Sequence, residues 1–272
     1  MRKQDDFIVG IFNYCDRWCE RCDITGRCRL YHDLARIDRR HKRRGEDPDD
    51  IDVALKDVDR NFKGLMRLIC RDAKKMGIDL DEIARQAAQA PAVDRSKIDE
   101  HPLAREGMSF FKTAQKLLKA LSKEIGQSRE DISRRSEFME VAGEARRLAK
   151  ICDAHEVLNW DSSMVAVKIK RAISSLFKDG EENSDADSEE FHLQDAQATA
   201  ALVLSCLERD KLALLTIYDW SKDDQDAAVG LLAKAERMSR GLNQLMPGAA
   251  GYLKSIRIGG AKGRGRKPKA GR

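Results

Sequence analysis

Four of the seven cysteines of this chain lie in one stretch, Phe12-Asn-Tyr-Cys15-Asp-Arg-Trp-Cys19-Glu-Arg-Cys22-Asp-Ile-Thr-Gly-Arg-Cys28, with the spacing C-x3-C-x2-C-x5-C. Packing alone does not explain so many thiols in so short a segment. A thiolate is a soft ligand, and its usual metal partners in proteins are zinc and iron–sulfur clusters. The stretch therefore predicts an N-terminal metal-binding loop in which Cys15, Cys19, Cys22 and Cys28 are the ligands.

A disulfide framework is the competing interpretation of these cysteines. The start of the chain, Met1-Arg-Lys-Gln-Asp-Asp6, is charged and leads into few apolar residues, which is not the pattern of a signal peptide. The other three cysteines, Cys70, Cys152 and Cys206, occur singly in apolar helical patterns, as small core residues do in a reducing cytosol. We therefore expect a cytoplasmic protein with a metal centre rather than disulfides.

Two kinds of centre fit the four cysteines. Structural zinc sites usually combine two short cysteine pairs separated by a dozen or more residues, whereas only five residues separate Cys22 from Cys28. Cysteine-only ligation is typical of a 4Fe-4S cluster. A centre closed by four thiolates has no open coordination position, so its expected role is structural or redox. Both a 4Fe-4S cluster and a zinc ion stay open at this point.

The spacing Cys19-x2-Cys22-x5-Cys28 resembles the cluster loop of DNA glycosylases of the endonuclease III type and that of some helicase-nucleases. No glycosylase or nuclease motif accompanies it, so the resemblance implies only the ligand chemistry. The spacing Cys15-x3-Cys19-x2-Cys22 also fits the radical S-adenosylmethionine motif. That chemistry needs a barrel of alternating strands and helices, which the rest of this sequence does not predict. The aromatic residues Phe12, Tyr14 and Trp18 are expected to shield the centre from water.

The rest of the sequence predicts an all-α protein. Apolar residues recur at helical spacing, most regularly at Ile51, Leu55, Val58, Phe62, Leu65, Ile69, Ala73 and Met76, which predicts a core face. Gly45, Gly77 and Gly126 are expected to end helices, and Asp47 is expected to cap one. The acidic segment 179–190 is expected to be a mobile loop. Long helices with short connections and no strand pattern favour an antiparallel helical bundle.

The charge is unevenly distributed along the 272 residues. The chain has 51 Lys and Arg against 46 Asp and Glu, but eight of the cations and none of the acids lie in residues 248–272, which leaves residues 1–247 with a net charge of −3. This predicts three parts: a cysteine-rich segment at 1–29, a helical bundle at 30–247 and a basic disordered tail at 248–272. No apolar run has transmembrane length, so we expect no membrane contact.

Most of residues 7–246 resemble a group of uncharacterised bacterial all-helical proteins. The resemblance rests on the Phe12–Cys22 run, on Arg44-Gly-Glu-Asp-Pro-Asp-Asp50, on Glu156-Val-Leu-Asn-Trp160 and on Val167-Lys-Ile-Lys-Arg-Ala172. It implies the helical architecture and no mechanism.

The tail contains Gly263-Arg-Gly-Arg-Lys-Pro-Lys269, which resembles the AT-hook and the Gly-Arg element of nucleoid-structuring proteins. In those elements extended arginines enter the narrow minor groove of A·T-rich DNA. A lysine between Arg266 and Pro268 departs from the AT-hook core and weakens the case for sequence preference. The resemblance implies contact with DNA or RNA, and the residues that would make it are Lys262, Arg264, Gly265, Arg266, Lys267 and Lys269. A solubilising tail is the alternative.

Two further hypotheses concern the helical part. A bundle can hold two metal ions with carboxylates and Glu-x-x-His pairs, and the sequence offers Asp38-x-x-His41 and Glu189-x-x-His192. Neither pair comes with an obvious acid on a partner helix. An enzyme that uses the cluster or such a di-metal site is therefore the alternative to a structural metal protein. A protein-interaction scaffold, with a protein partner or a second copy of the chain, is the third reading.

Overall fold

The computed structural model describes residues 7–48, 50–89, 95–135, 141–178, 186–249 and 251–252, and all regular structure in these ranges is helical. The predicted all-α class is confirmed. The helices are α1 (Arg29–Arg44), α2 (Ile51–Met76), α3 (Leu80–Gln89), α4 (Ser96–Glu100), α5 (Pro102–Arg135), α6 (Ala142–Lys178), α7 (Ala186–Trp220) and α8 (Gln225–Leu245). Short 3-10 turns at Ile11–Tyr14, Cys19–Arg21 and Thr25–Arg27 precede α1. No helix among the described residues is both long and apolar enough to cross a membrane.

The chain divides into two compact units. The first comprises residues 1–12 and 18–94 and includes α1, α2 and α3. The second comprises residues 13–17 and 95–272 and includes α4 to α8. The short segment Asn13–Arg17, which contains Cys15, therefore belongs to the second unit, although the rest of the cysteine stretch belongs to the first.

The hydrophobic core of the second unit lies between α5, α6, α7 and α8. Contacts join α5 to α6, α6 to α7, α7 to α8 and α8 back to α5. Neighbouring helices run in opposite directions: Gln115 of α5 bonds Asn159 of α6, whereas the later Ser122 bonds the earlier His155. The largest fully buried side chains include Phe110, Leu121, Leu158, Ile173, Leu207, Ile217, Leu231, Met238 and Leu242.

Two predicted breaks in this unit are wrong. Gly126 was expected to end a helix, but α5 continues through it to Arg135. A glycine inside a helix costs only about 1 kcal/mol, and the buried side chains of Leu121 and Ile125 on the same helix outweigh that cost. The acidic segment was expected to be a loop up to residue 190, but α7 begins at Ala186, and residues 179–185 lie outside the described residues.

Glycines end the first two helices as predicted. Gly45 follows α1 with φ 66° and Gly77 follows α2 with φ 69°, both in the left-handed region that favours glycine. The predicted cap of α2 is wrong by three residues. Asp50 rather than Asp47 is the N-cap, and its Oδ1 accepts a hydrogen bond of 2.8 Å from the amide of Asp52.

The apolar stripe of α2 is not a core face in the described chain. We define the α2 stripe as Ile51, Leu55, Val58, Phe62, Leu65, Ile69 and Met76; all seven side chains are exposed, from 39% for Ile69 to 69% for Ile51. Cys70, which was expected to be a core cysteine, is exposed on the same helix. The helical period was predicted correctly, but a period does not identify what covers the apolar face.

Candidate functional site

Three of the four predicted metal ligands lie on two consecutive tight turns of the first unit. Cys19 begins one 3-10 turn and Cys22 follows it, with the amide of Cys22 donating to the carbonyl of Cys19 at 3.2 Å. Cys28 follows the second turn, where its amide donates to the carbonyl of Thr25 at 3.1 Å, and the next residue begins α1. The C-x2-C pair thus shares one turn, and the third thiol lies at the start of a helix.

Contacts within the first unit hold this loop closed. The amide of Ile8 donates to the carbonyl of Arg27 at 3.0 Å, which ties the chain before the cysteines to the chain after them. The ring of Phe7 lies edge-on to His32 of α1, with 5.2 Å between ring centroids. The guanidinium of Arg21 lies 4.0 Å from the centre of the Trp18 ring, a cation–π contact inside the loop. Trp18 therefore packs within the loop.

The seven cysteine thiols are not joined in disulfides. Cys19 and Cys22 are half-buried and Cys28 is buried. In the part of the chain that the structure describes, no three His, Cys, Asp or Glu side chains come together in a group that could hold a metal ion. The donors are chemically suited to a soft metal, but the ligand set itself stays a prediction from the sequence.

The segment Asn13–Arg17 lies against α6 and α7 of the second unit. Its backbone accepts two hydrogen bonds from side chains of α6. Arg171 Nη1 donates to the carbonyl of Asn13 at 3.2 Å, and Trp160 Nε1 donates to the carbonyl of Asp16 at 2.9 Å. The carboxylate of Asp16 accepts a third bond, of 2.7 Å, from Arg209 of α7. Cys15 is thus positioned by bonds on both sides of it.

Tyr14 of the same segment reaches a buried carboxylate. Its hydroxyl hydrogen-bonds Asp195 of α7, and Arg171 lies 5.7 Å from the centre of its ring. Asp195 also accepts hydrogen bonds from Arg171 and, at 2.6 Å, from Ser175 Oγ. Burial alone would raise the pKa of Asp195, but these hydrogen bonds outweigh it and hold the pKa below its usual value. Burial, with the neighbouring Asp195 charge, raises the pKa of Tyr14.

A second buried ion pair joins α6 to α7 beside Asp16. Arg209 donates to both oxygens of Asp161 at 2.7 Å, and Asp161 is fully buried. Burial by itself lowers the pKa of Arg209, but its bonds and proximity to Asp161 and Asp16 raise it, so this guanidinium stays charged. Burial raises the pKa of the nearby Cys206 thiol, so Cys206 is an inert core cysteine, as predicted.

A lysine of α6 lies near Cys15. Lys168 of α6 is close enough to Cys15 for the two charges to interact, and Arg17 and Arg171 act on the same lysine. Burial lowers the pKa of Lys168 and the two arginines add to this, whereas Cys15 and Asp195 oppose it. Cations near a cysteine favour its thiolate form, which is the form that ligates metals and attacks electrophiles. Arg17 has φ 59°, a left-handed conformation that is uncommon outside glycine.

The sequence analysis missed the residues that receive this segment. Trp160 and Arg171 fall in stretches quoted for the family resemblance, but no role was assigned to them. One feature of the sequence could have indicated these contacts. Asp195, Thr199, Cys206 and Asp210 of α7 recur at helical spacing, and all four are buried, so one face of this helix carries polar groups that need partners. Neither carboxylate oxygen of Asp210 has a hydrogen-bond partner among the described residues.

The two acid–histidine pairs do not form a di-metal site in the described ranges. His41 is buried, and its ring nitrogens bond Glu46 Oε2 at 2.9 Å and Asp57 Oδ2 at 2.6 Å, so it joins the end of α1 to α2. Glu189 and His192 lie at the start of α7, where Phe191 is exposed beside them. His41 therefore joins α1 to α2 within the first unit through its hydrogen bonds to two carboxylates.

The predicted nucleic-acid contacts Lys262, Arg264, Gly265, Arg266, Lys267 and Lys269 all lie outside the described residues. Comparisons with protein-family models, with curated proteins and with solved structures find no match for this chain.

Proposed function

We propose that this protein binds a metal centre through Cys15, Cys19, Cys22 and Cys28, either a 4Fe-4S cluster or a zinc ion, and that the centre has a structural or redox role. The observation that carries the proposal is the clustering of these four cysteines within 14 residues, with no disulfide between them. The closed loop around Cys19, Cys22 and Cys28 supports it, because a preformed loop lowers the entropy cost of gathering ligands. We propose that the protein works in the cytoplasm, because a reducing compartment keeps clustered thiols from forming disulfides.

The residues around Cys15 suit a thiolate ligand. Lys168 can offset negative charge at this position, and a centre with four thiolates carries an excess of negative charge that the protein must neutralise. When bound, a cluster would supply one-electron chemistry, and zinc would supply a structural crosslink. In either case the bonds from Trp160 and Arg171 orient the backbone that carries Cys15.

Anaerobic purification followed by iron, sulfide and zinc analysis tests this proposal. We expect either about four iron and four sulfide per chain with broad visible absorption, or about one zinc ion and no colour. Cys22→Ser and Cys28→Ser should each lose the metal, whereas Cys70→Ser, on the exposed face of α2, should keep it. A chain with neither metal, or full retention of metal in Cys22→Ser, would exclude the proposed centre.

We also propose that the basic tail contacts DNA or RNA through Lys262, Arg264, Gly265, Arg266, Lys267 and Lys269. The support is composition: a segment with eight cations and no acid attracts polyanions regardless of its fold. The metal analysis also tests the alternative that the protein is a redox enzyme with a cluster. A result of zinc alone would exclude that alternative. The interaction-scaffold alternative has a separate observation in its favour, the exposed α2 stripe.

A further inference from the structure

The exposed α2 stripe calls for a partner because the first unit does not bury enough apolar surface to hold this helix. Its buried apolar side chains among the described residues are Ile11, Cys28 and Ala73, and only Ala73 belongs to α2. Isolated helices are marginal in water, since most helical stability in proteins comes from packing an apolar face. The bonds between α1 and α2 involve Arg40 and His41 with Asp57, near the connection of the two helices. They do not cover the stripe.

The spacing of the α2 stripe is that of a coiled-coil seam. From Ile51 to Ile69 its members are separated by four, three, four, three and four residues, and Met76 follows one heptad after Ile69. A sustained seven-residue repeat keeps one narrow seam facing a neighbouring helix over its whole length. Leu55, Phe62, Ile69 and Met76 occupy one core position of the heptad. Ile51, Val58 and Leu65 occupy the other, together with Asp72.

The positions beside the seam favour a broad apolar contact. Met66 and Leu68 flank the centre of the stripe and are 40% and 48% exposed. Of the other six flanking positions, three carry the uncharged residues Ala54, Asn61 and Ala73, and three carry Asp52, Asp59 and Lys75. Long rows of like charge at these positions would oppose pairing with a second copy; here one row has two acids, Asp52 and Asp59, and the other has the cation Lys75. The α2 stripe of one copy can therefore pack against the α2 stripe of a second copy.

Charge decides the direction of pairing. The half of α2 from Gly64 to Met76 carries Arg67, Arg71, Lys74 and Lys75 against Asp72, a net charge of +3. The half that begins at the cap carries Asp50, Asp52, Asp57 and Asp59 against Lys56, Arg60 and Lys63, a net charge of −1. Parallel pairing would align the two basic halves and bring Asp72 of each copy together. Antiparallel pairing places each basic half beside the mildly acidic half of the other copy.

We propose that two copies of this chain associate through the α2 stripe as an antiparallel, two-fold symmetric pair of helices. In this register Phe62 of one copy faces Leu65 of the other, and Val58 faces Ile69. Asp72 faces Leu55 near the end of the seam, where its carboxylate can reach solvent. The symmetry is closed, so the association stops at a dimer.

Sedimentation of the full-length chain tests the association. We expect twice the 30.7 kDa chain mass at micromolar concentration, and Val58→Glu should weaken the dimer by about 100-fold or more, because each interface would then bury two unpaired charges. Val58→Ala, which keeps the helix, should weaken it less. The matched control is Val167→Glu on α6, since Val58 and Val167 are 64% and 65% exposed; this variant should remain dimeric.

Disulfide trapping tests the direction and does not depend on the fold of a charged variant. A mixture of Leu55→Cys and Asp72→Cys chains should give a crosslink between positions 55 and 72, identified by peptide mass spectrometry. Leu55→Cys alone should give no crosslink between two copies of position 55. A monomer at all concentrations, or a dimer that Val58→Glu leaves intact, would overturn the proposal. A crosslink between equivalent positions would overturn its antiparallel form.

Discussion

At the scale of single residues, Arg209 joins the segment Asn13–Arg17 to α6 and α7 of the second unit. Its guanidinium bonds the fully buried Asp161 of α6 and the carboxylate of Asp16 in the cysteine segment. A buried pair contributes less to stability than its geometry suggests, because both charges lose hydration. Breaking it is costly for a different reason, since removal of one partner leaves the other charge buried and uncompensated.

We therefore expect Arg209→Met to lower the free energy of unfolding of the second unit by about 3 kcal/mol. The double variant Arg209→Met with Asp161→Leu should recover most of this loss, because the fully buried carboxylate is removed with its partner, and Asp16, whose side chain is 20% exposed, can be hydrated. Arg237→Met is the control: its pair with Glu106 lies on the surface and is worth less than about 1 kcal/mol. Denaturant titration measures all three. Equal losses in Arg209→Met and Arg237→Met would show that the buried pair has no special role.

At this scale the sequence indicates candidate ligands, and their metal binding stays a prediction; it does not indicate what surrounds them. Four thiols in a short segment indicate metal chemistry from residue type and spacing alone. The bonds from Trp160, Arg171 and Arg209 to residues 13–16 join positions more than 140 residues apart in the chain. No local pattern encodes such a pairing. A charged residue on an apolar helix face indicates that a partner exists. Which residue is the partner depends on the tertiary fold, so the sequence pattern does not identify it.

At the scale of elements, the junction of α1 and α2 depends on a charged histidine. Hydrogen bonds to Asp57 and Glu46 raise the pKa of His41, although burial opposes the shift. Burial alone would raise the pKa of Asp57, but the bond from His41 and the charges of Arg40 and Arg60 hold it below the usual range. The imidazolium thus lies between two carboxylates, with two arginines on the outer side of one of them.

The sign of the pH dependence follows from the raised pKa of His41. A group whose pKa is higher in the folded state stabilises that state fully below its unfolded pKa, which is about 6.5 for histidine. That contribution is lost as pH rises through the folded pKa. Amide exchange at Gly45 and Glu46 should therefore show a protection factor that falls above neutral pH. In His41→Asn the fall should disappear, whereas in the control His192→Asn it should persist. A flat profile in the wild-type chain would contradict this interpretation.

Helix ends were predictable where one residue determines them, and not where packing competes. Gly45 and Gly77 end their helices because the next turn needs a left-handed residue, a property of the residue itself. Gly126 does not end α5: the helix is anchored by a buried face that runs up to Ile125, and one glycine inside a helix costs only about 1 kcal/mol. In the α2 stripe, the local pattern was predictable but the packing was not. Its heptad period was evident from the sequence, but its exposure depends on which surface the rest of the chain offers.

At the scale of the whole molecule, the chain separates its charges. Residues 1–247 carry 43 cations and 46 acids, whereas residues 248–272 carry eight cations alone. A mildly acidic net charge favours nucleic acid less than a segment of cations alone does, so we expect any such binding to come mainly from the tail. Phosphate neutralisation releases counterions, and this release makes the affinity fall steeply with salt. Sequence preference requires in addition that arginines enter the minor groove.

Binding of a labelled A·T-rich duplex by fluorescence anisotropy distinguishes these contributions. The seven cations from Lys254 to Lys269 should give a slope of log affinity against log salt of about −4 to −6 when most of them contact phosphates. A chain truncated after Tyr252 should lose this slope together with the binding. Arg264→Lys with Arg266→Lys keeps the charge, so it should leave the slope unchanged. Any preference for A·T-rich over G·C-rich duplex should disappear in this variant, because lysine lacks the planar group that arginine places in a narrow groove. Binding that survives the truncation would transfer the nucleic-acid contact from the tail to the folded units.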